Sequence, residues 1–256
     1  MKTDTPKKQR CENMMQRLAQ IADGHDIVNF LYENDIEISF DDGALFNASS
    51  LVSIDRLENG EFIYKGAKIV INTEIDDDNA LQAVVHETQH LRHHFNELGN
   101  PKSILSLDDH KLLRSLQEAD AQATAVDVTY KMKILHGDDG PFQSTCDVGY
   151  AEMGRAYEAA YKKDPASIHT GEAKRKAFEA WFENKDRIAH YDRDTEQVHE
   201  PFLQNLYEKY PEHGMKKGKL TNAWLKELGA LSSKNYLQRH ETERPLQKMR
   251  RLWRGK

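Results

Sequence analysis

The 256-residue chain has only two cysteines and no long apolar run. Cys11 and Cys146 are too few for a disulfide framework or a cysteine-based zinc site, and such sparing use is typical of a reducing compartment. No apolar stretch approaches the roughly 20 residues that span a bilayer. The basic segment 1–10 leads into no apolar signal core. These absences predict a cytoplasmic protein without a signal peptide or a transmembrane segment.

Negative and positive charge are separated along the chain. The net charge is −6, and residues 244–256 carry six basic side chains and no acidic one, so residues 1–243 hold a net charge of −12. An acidic body argues against a broad nucleic-acid platform. The basic tail is expected to bind an acidic surface, which could belong to a protein partner, to anionic lipid or to its own body. A terminal helix packed on the domain is an equal alternative.

Hydrophobic periodicity predicts a mostly helical α+β protein with one small N-terminal sheet. We expect an N-terminal helical segment at 1–34 with a break at Gly24, a metal-binding core at 35–136, a helical region packed on the core at 137–243, and the basic tail at 244–256. Strands are predicted at 36–40, 51–54, 61–64 and 68–71. Helices are predicted at 80–98, 108–136, 150–163, 171–184, 195–210 and 219–240.

The segment His86–His90 reads H-E-x-x-H inside the predicted helix 80–98. Side chains four residues apart on a helix share one face, so His86 and His90 could bind one Zn²⁺ ion. Glu87 between them would be the general base that takes a proton from a metal-bound water. A strand followed by such a helix resembles the zincin metallopeptidases.

The third metal ligand is expected on the predicted helix 108–136. Metzincins would place a glycine and a histidine where this chain has His93 and Asn96, so the resemblance is to the gluzincins, which use a glutamate. Glu118 is the predicted ligand, and Asp120 is the competitor as ligand or as support for one. Gln122 stands where many gluzincins place a supporting aspartate. Since Asp120 shares its helix face with Thr124, Asp127 and Lys131, that face is predicted to be solvated.

Other side chains could complete the site. His94 extends the row of histidines and is expected at its rim or in solvent, while His93 is expected at the surface. A peptidase also needs a donor for the oxyanion that forms on the attacked carbonyl. The sequence offers Tyr130, Tyr191 and Arg193 for this role and does not choose among them.

Two further segments, 171–182 and 191–195, strengthen one resemblance. Together with H-E-x-x-H and Glu-Ala-Asp-Ala at 118–121, they resemble a bacterial family of unknown function that is assigned to the metallopeptidases by description alone. The resemblance covers roughly residues 60–200 and implies zincin-like chemistry, but it names no substrate.

The sequence therefore predicts a zinc metallopeptidase that holds one Zn²⁺ per chain through His86, His90 and Glu118 and acts on a peptide or protein. Two alternatives stay open. The first is a non-catalytic or metal-stabilised interaction protein that uses the helical region and the basic tail. The second is a zinc hydrolase of a non-peptide bond.

Overall fold

The structure is a computed structural model that describes residues 5–44, 46–58, 61–98, 105–209, 218–232, 234–237 and 245–255. About 72% of it is helical, and its one sheet has three strands, which confirms the predicted α+β class. The division into four parts remains a prediction.

The N-terminal segment forms two helices, α1 (Thr5–Leu18) and α2 (Ala22–Glu33). Gly24 lies inside α2, so the predicted break at Gly24 was wrong. A Cβ atom at Gly24 would lie 2.0 Å from the carbonyl oxygen of Leu18. Glycine is therefore needed here because the end of α1 packs closely against α2, and the chain turns before α2 begins.

The sheet has the strand order β1-β3-β2, with β1 at Glu37–Asp41, β2 at Ala48–Glu58 and β3 at Glu61–Asn72. The two strands predicted at 61–64 and 68–71 are one long strand, β3. β2 pairs with β3 in an antiparallel hairpin, whereas β1 pairs with β3 in parallel, so the sheet is mixed. Ile69 and Ile71 of β3, the central strand, are fully buried against the helices. The strand order leaves β1 and β2 at the two edges of the sheet.

Two long helices, α3 (Asp77–Phe95) and α4 (Leu107–His136), pack against each other behind the sheet. Asp76 caps α3 by accepting a hydrogen bond from the Asn79 amide, and Ser106 caps α4 in the same way. Gly137 ends α4 in the left-handed conformation that favours glycine. Helix α3 ends at Phe95, three residues before the predicted end at 98.

The rest of the described chain is a set of shorter helices that pack on α4. The predicted helix 171–184 ends in a 3₁₀ turn at Trp181–Glu183, and the predicted helix 195–210 begins with a π turn at Thr195–His199. The predicted helix 219–240 is shorter in the structure, where it spans Asn222–Ala230. Residues 234–237 are not helical. The helices are α5 (Gly140–Thr145), α6 (Ala151–Lys163), α7 (Ser167–Thr170), α8 (Glu172–Ala180), α9 (Lys185–Asp194), α10 (Glu200–Lys209), α11 (Asn222–Ala230) and α12 (Pro245–Trp253).

The described part of the basic tail is the amphipathic helix α12, which packs on the chain itself. Its apolar side chains Leu246, Met249 and Trp253 are buried in the core around α4 and α8. Its basic side chains form ion pairs with acidic residues of the body: Arg250 with Asp109, Arg254 with Asp108 at 3.3 Å, and Lys248 with Glu179 at 2.9 Å. No helix among the described residues is long and apolar enough to cross a membrane.

Candidate metal centre

The two long helices bring His86 and His90 of α3 against Glu118 of α4. The Nε2 atoms of the two histidines lie 3.0 Å apart, and Glu118 oxygens lie 3.5 Å from His86 Nε2 and 3.4 Å from His90 Nε2. The three side chains, which we call the metal cluster, are 14%, 14% and 7% exposed, so they are mostly buried and keep a small contact with solvent.

The donor set of the metal cluster fits a zinc ion. Two imidazoles and one carboxylate are the protein ligands of the His₂Glu catalytic zinc sites. Ligand bonds of about 2.1 Å at tetrahedral angles put neighbouring ligand atoms about 3.4 Å apart. The observed separations are close to that distance: 3.0 Å between the two histidines, 3.4 Å from His90 to Oε1 of Glu118, and 3.5 Å from His86 to Oε2 of Glu118. The arrangement is therefore sized for one small divalent cation.

The electrostatics of the metal cluster keep its carboxylate charged. Burial alone would raise the pKa of Glu118, but the charge of His90 and hydrogen bonds to His86 and His90 outweigh it and hold that pKa well below its ordinary value. Burial also lowers the pKa of His86, yet the hydrogen bond to Glu118 and the charge of Glu87 leave it raised. Both imidazoles therefore lie beside an ionised carboxylate.

Glu87 is half-buried and is held by the sheet. Its Oε2 atom accepts two hydrogen bonds from Ser50 of β2, one from the backbone N–H at 2.9 Å and one from the hydroxyl at 2.8 Å. Sequence reasoning missed Ser50, because the two residues are 37 positions apart and nothing in the local pattern joins them. The strand thus fixes the orientation of the predicted base.

Only one of the three predicted oxyanion donors lies at the metal cluster. Tyr191 of α9 contacts Glu118, and burial together with that negative charge holds the pKa of Tyr191 well above its ordinary value. Tyr150, which was not predicted from the sequence, contacts Tyr191. Burial and then the negative charge of Glu118 raise the pKa of Tyr150 above its ordinary value. Arg193 is exposed and lies two positions from Tyr191, on another side of α9.

Tyr130 is far from the metal cluster. It lies twelve residues after Glu118 on α4, a rise of about 18 Å. Its ring packs against Phe142, Tyr157 and Tyr161, and only 2% of the residue is exposed. The hypothesis that Tyr130 supplies the oxyanion donor was therefore wrong, and the residue belongs to the core.

Asp120 faces away from the metal cluster into the protein interior. Its Oδ2 accepts hydrogen bonds from Gln89 Nε2 and His93 Nε2, each at 2.7 Å. Its Oδ1 accepts one from the Tyr236 hydroxyl at 2.5 Å and lies 3.8 Å from Lys174 Nζ. These five residues, which we call the Asp120 cluster, tie α3, α4 and α8 together.

Two expectations about surface residues were wrong. The face of α4 that carries Asp120, Thr124, Asp127 and Lys131 was predicted to be solvated, but all four are buried. His93 was predicted at the surface and is only 1% exposed. Sequence spacing alone could not place them, because segments that are distant along the chain cover this face and supply Lys174 and Tyr236 as partners.

Gln122 and His94 lie on either side of the metal cluster. Gln122 is buried one turn after Glu118 and contacts His86, where it helps to raise the pKa of that histidine. His94 is half-buried, as expected for a residue at the rim. Burial and then the charges of His90, His93 and Arg114 lower the pKa of His94 to about 3, so it is neutral at physiological pH.

The fold is of the α+β class, and its two long helices bring ligand atoms of two histidines and a glutamate within 4.8 Å of one another. The protein is therefore an α+β protein with a candidate metal site. The chain belongs to the family described as "Putative metallopeptidase family (DUF6782)", whose model matches residues 3–238. No curated protein and no solved structure matches the chain. The family confirms the expected link to metallopeptidases, whereas membership of the zincin superfamily stays a prediction.

Proposed function

We propose that this protein is a zinc-dependent peptidase that hydrolyses an amide bond at the metal cluster. The observation that carries the proposal is the convergence of His86, His90 and Glu118 within 4.8 Å of one another, with Glu87 next to the first ligand. Family membership supports the same reaction class. Zinc is preferred over a harder cation because two of the three donors are imidazole nitrogens.

His86, His90 and Glu118 would hold the metal. A bound zinc ion polarises the substrate carbonyl and lowers the pKa of a bound water to about 7. Glu87 takes a proton from the attacking water and returns it to the leaving amine. Since Ser50 already holds Oε2 of Glu87, Oε1 is the oxygen that accepts this proton.

Tyr191 is the donor that we assign to the developing oxyanion. Its hydroxyl lies beside Glu118, and its raised pKa keeps the proton on the phenol at neutral pH. A neutral phenol can donate a hydrogen bond to the negative oxygen as the tetrahedral state forms. Tyr150 contacts Tyr191 and would orient its hydroxyl.

The test compares the metal content and the hydrolytic activity of three proteins. Purified wild type should contain about one zinc per chain and should cleave dye-labelled casein or a mixed fluorogenic peptide library. The Glu87→Gln variant should keep its zinc and lose hydrolysis, because the amide cannot accept the proton. The His86→Ala variant should lose both zinc and hydrolysis.

Glu74→Gln is the matched control, since it makes the same chemical change at an exposed position just before α3. It should leave zinc content and activity unchanged. Wild type that holds no zinc after reconstitution would refute the proposal. Zinc-loaded protein that cleaves an ester or another non-peptide bond, but no peptide, would move the assignment to a different zinc hydrolase.

A further inference from the structure

Arg114 places a guanidinium at the edge of the metal cluster. It lies one turn before Glu118 on α4, with Nη2 at 3.4 Å from Glu118 Oε1. Its Nη1 donates a hydrogen bond of 3.1 Å to Gln117 Oε1, which anchors the side chain. The side chain is 19% exposed, so part of Arg114 remains in contact with solvent beside a buried Glu118.

Arg114 has one acidic partner among the described residues. Glu118 is the only carboxylate within ion-pair distance of Arg114 in that part of the chain. Two other acids pair with histidines on which the charge of Arg114 acts: Glu200 with His110 at 2.7 Å and Asp194 with His199 at 3.0 Å. The charge of Arg114 acts on a ring of neighbours formed by His94, His110, Tyr191 and His199.

The guanidinium has donors to spare. An arginine has five N–H donors in a planar fork that matches a carboxylate. Within the described residues, Nη1 and Nη2 each make one hydrogen bond, so each keeps a second N–H, whereas Nε is buried and out of reach of a solute. An ordinary helical ion pair with Glu118 would explain only one of these contacts.

A cation bound to the metal cluster changes the balance of charge around Arg114. Glu118 would then neutralise the bound metal, and the guanidinium beside it would lack an equivalent counter-ion. An anionic group that enters from solvent restores that balance and can accept the remaining N–H bonds of the fork.

We propose that Arg114 makes the metal cluster select substrates with a carboxylate close to the attacked carbonyl. This inference rests on the proposed zinc-peptidase function and names its substrate class. The carboxylate can come from the free C-terminus of a peptide or from an acidic side chain next to the scissile bond. Arg114 recognises both through the same paired hydrogen bonds.

The test uses small hydroxamates, which bind zinc whatever the peptide specificity of the site. The first pair is the succinyl monohydroxamate and its carboxamide, which differ only in the carboxylate. Isothermal titration of the zinc-loaded full chain should show about tenfold tighter binding of the carboxylate probe. Arg114→Gln should abolish the difference, and Arg114→Lys should retain part of it, because an ammonium attracts the anion without the fork.

A second pair separates the two sources of the carboxylate. A malonyl hydroxamate linked to alanine with a free α-carboxylate represents a C-terminus. The same hydroxamate linked to aspartic acid α-amide, in which only the side-chain carboxylate is free, represents an acidic side chain. The probe that loses more affinity in Arg114→Gln identifies the natural source. Lys111→Gln is the matched control, because it removes a positive charge from the same helix where Lys111 pairs with Glu196; it should keep the wild-type preference.

Three results would overturn the inference. Wild type could bind the carboxylate and carboxamide probes equally, Arg114→Gln could keep the preference, or Arg114→Gln could lose its zinc in elemental analysis. The last result would make Arg114 a support for the metal ligands. Failure of the proposed function itself gives a different result, in which wild type binds no zinc and neither hydroxamate.

Discussion

The metal cluster and the Asp120 cluster lie between the same two helices, yet their environments are opposite. Glu118 and Asp120 are two positions apart on α4 and therefore point about 200° apart around the helix. Both carboxylates are buried, but Glu118 lies among three nitrogen-bearing side chains at 7% exposure, whereas Asp120 is 0% exposed. The oxygens of Asp120 already accept bonds from Gln89, His93 and Tyr236.

On the same pair of helices, Asp120 has a structural role and Glu118 belongs to the proposed metal site. Both oxygens of Asp120 accept hydrogen bonds from donors that the protein supplies, so this carboxylate is already engaged in holding the interior together. Glu118 instead faces two imidazole nitrogens that are 3.0 Å apart, and these three side chains are a donor set that could hold a metal ion. The Asp120 cluster holds α3 against α4, and this packing keeps His86 and His90 beside Glu118 in the metal cluster.

The largest expected effect is the loss of stability in Asp120→Ala. Removing this carboxylate would leave Gln89, His93 and Tyr236 buried without their acceptor. It would also leave the buried Lys174 ammonium without its ion-pair partner, and together these losses cost about 3–5 kcal/mol. Urea unfolding of the metal-free protein should show this loss. Glu118→Ala, the same truncation in the metal cluster, should cost less than about 2 kcal/mol under the same conditions. Equal losses in the two variants would remove the distinction between the clusters.

Zinc should stabilise the protein through the metal cluster alone. At a free concentration of 100 times its dissociation constant, zinc should raise the free energy of unfolding by about 2.7 kcal/mol. Thermal unfolding with and without a chelator measures this gain. His86→Ala should show none of it, while Asp120→Asn should still show some. The same gain in His86→Ala would place the bound zinc elsewhere, on another of the twelve histidines.

The contrast between the two clusters also shows what could be predicted from the sequence. His86, His90 and Glu118 were found because their spacing on regular helices decides which side chains share a face. The Asp120 cluster was missed because its partners Lys174 and Tyr236 come from 54 and 116 positions further along the chain. Periodicity describes one helix at a time, whereas burial of a polar face depends on which distant segment covers it.

A substitution at Gln122 should increase the zinc affinity of the metal cluster. Its Nε2 and the Nδ1 atom of His86 are both buried without a hydrogen-bond partner. In Gln122→Glu, a carboxylate at this position could accept a hydrogen bond from His86 Nδ1 and make the imidazole a better ligand. Zinc affinity should rise about tenfold, as measured by competition with a chromophoric chelator. Gln117→Glu, one turn of α4 away and bonded to Leu98, is the control that should not raise it.

The smallest expected effect belongs to Ser50, because it contacts the base and none of the three metal ligands. Ser50→Ala removes the hydroxyl donor to Glu87 Oε2 but keeps the backbone N–H, so the carboxylate loses one of its two anchors. That hydrogen bond is worth about 1 kcal/mol, which predicts a fall in kcat of about fivefold. KM and zinc content should not change, and Ser50→Thr should restore the rate.

A change in KM or in zinc content, rather than in kcat, would show that Ser50 acts on the shape of the cleft. The expected pattern follows from geometry, since the strand holds one oxygen of Glu87 and leaves the other to take the proton. Loss of the hydroxyl lets the carboxylate rotate, so fewer molecules present Oε1 to the attacking water at a given moment. The metal ligands lie on α3 and α4, where the Asp120 cluster keeps them in place whether or not Ser50 carries a hydroxyl.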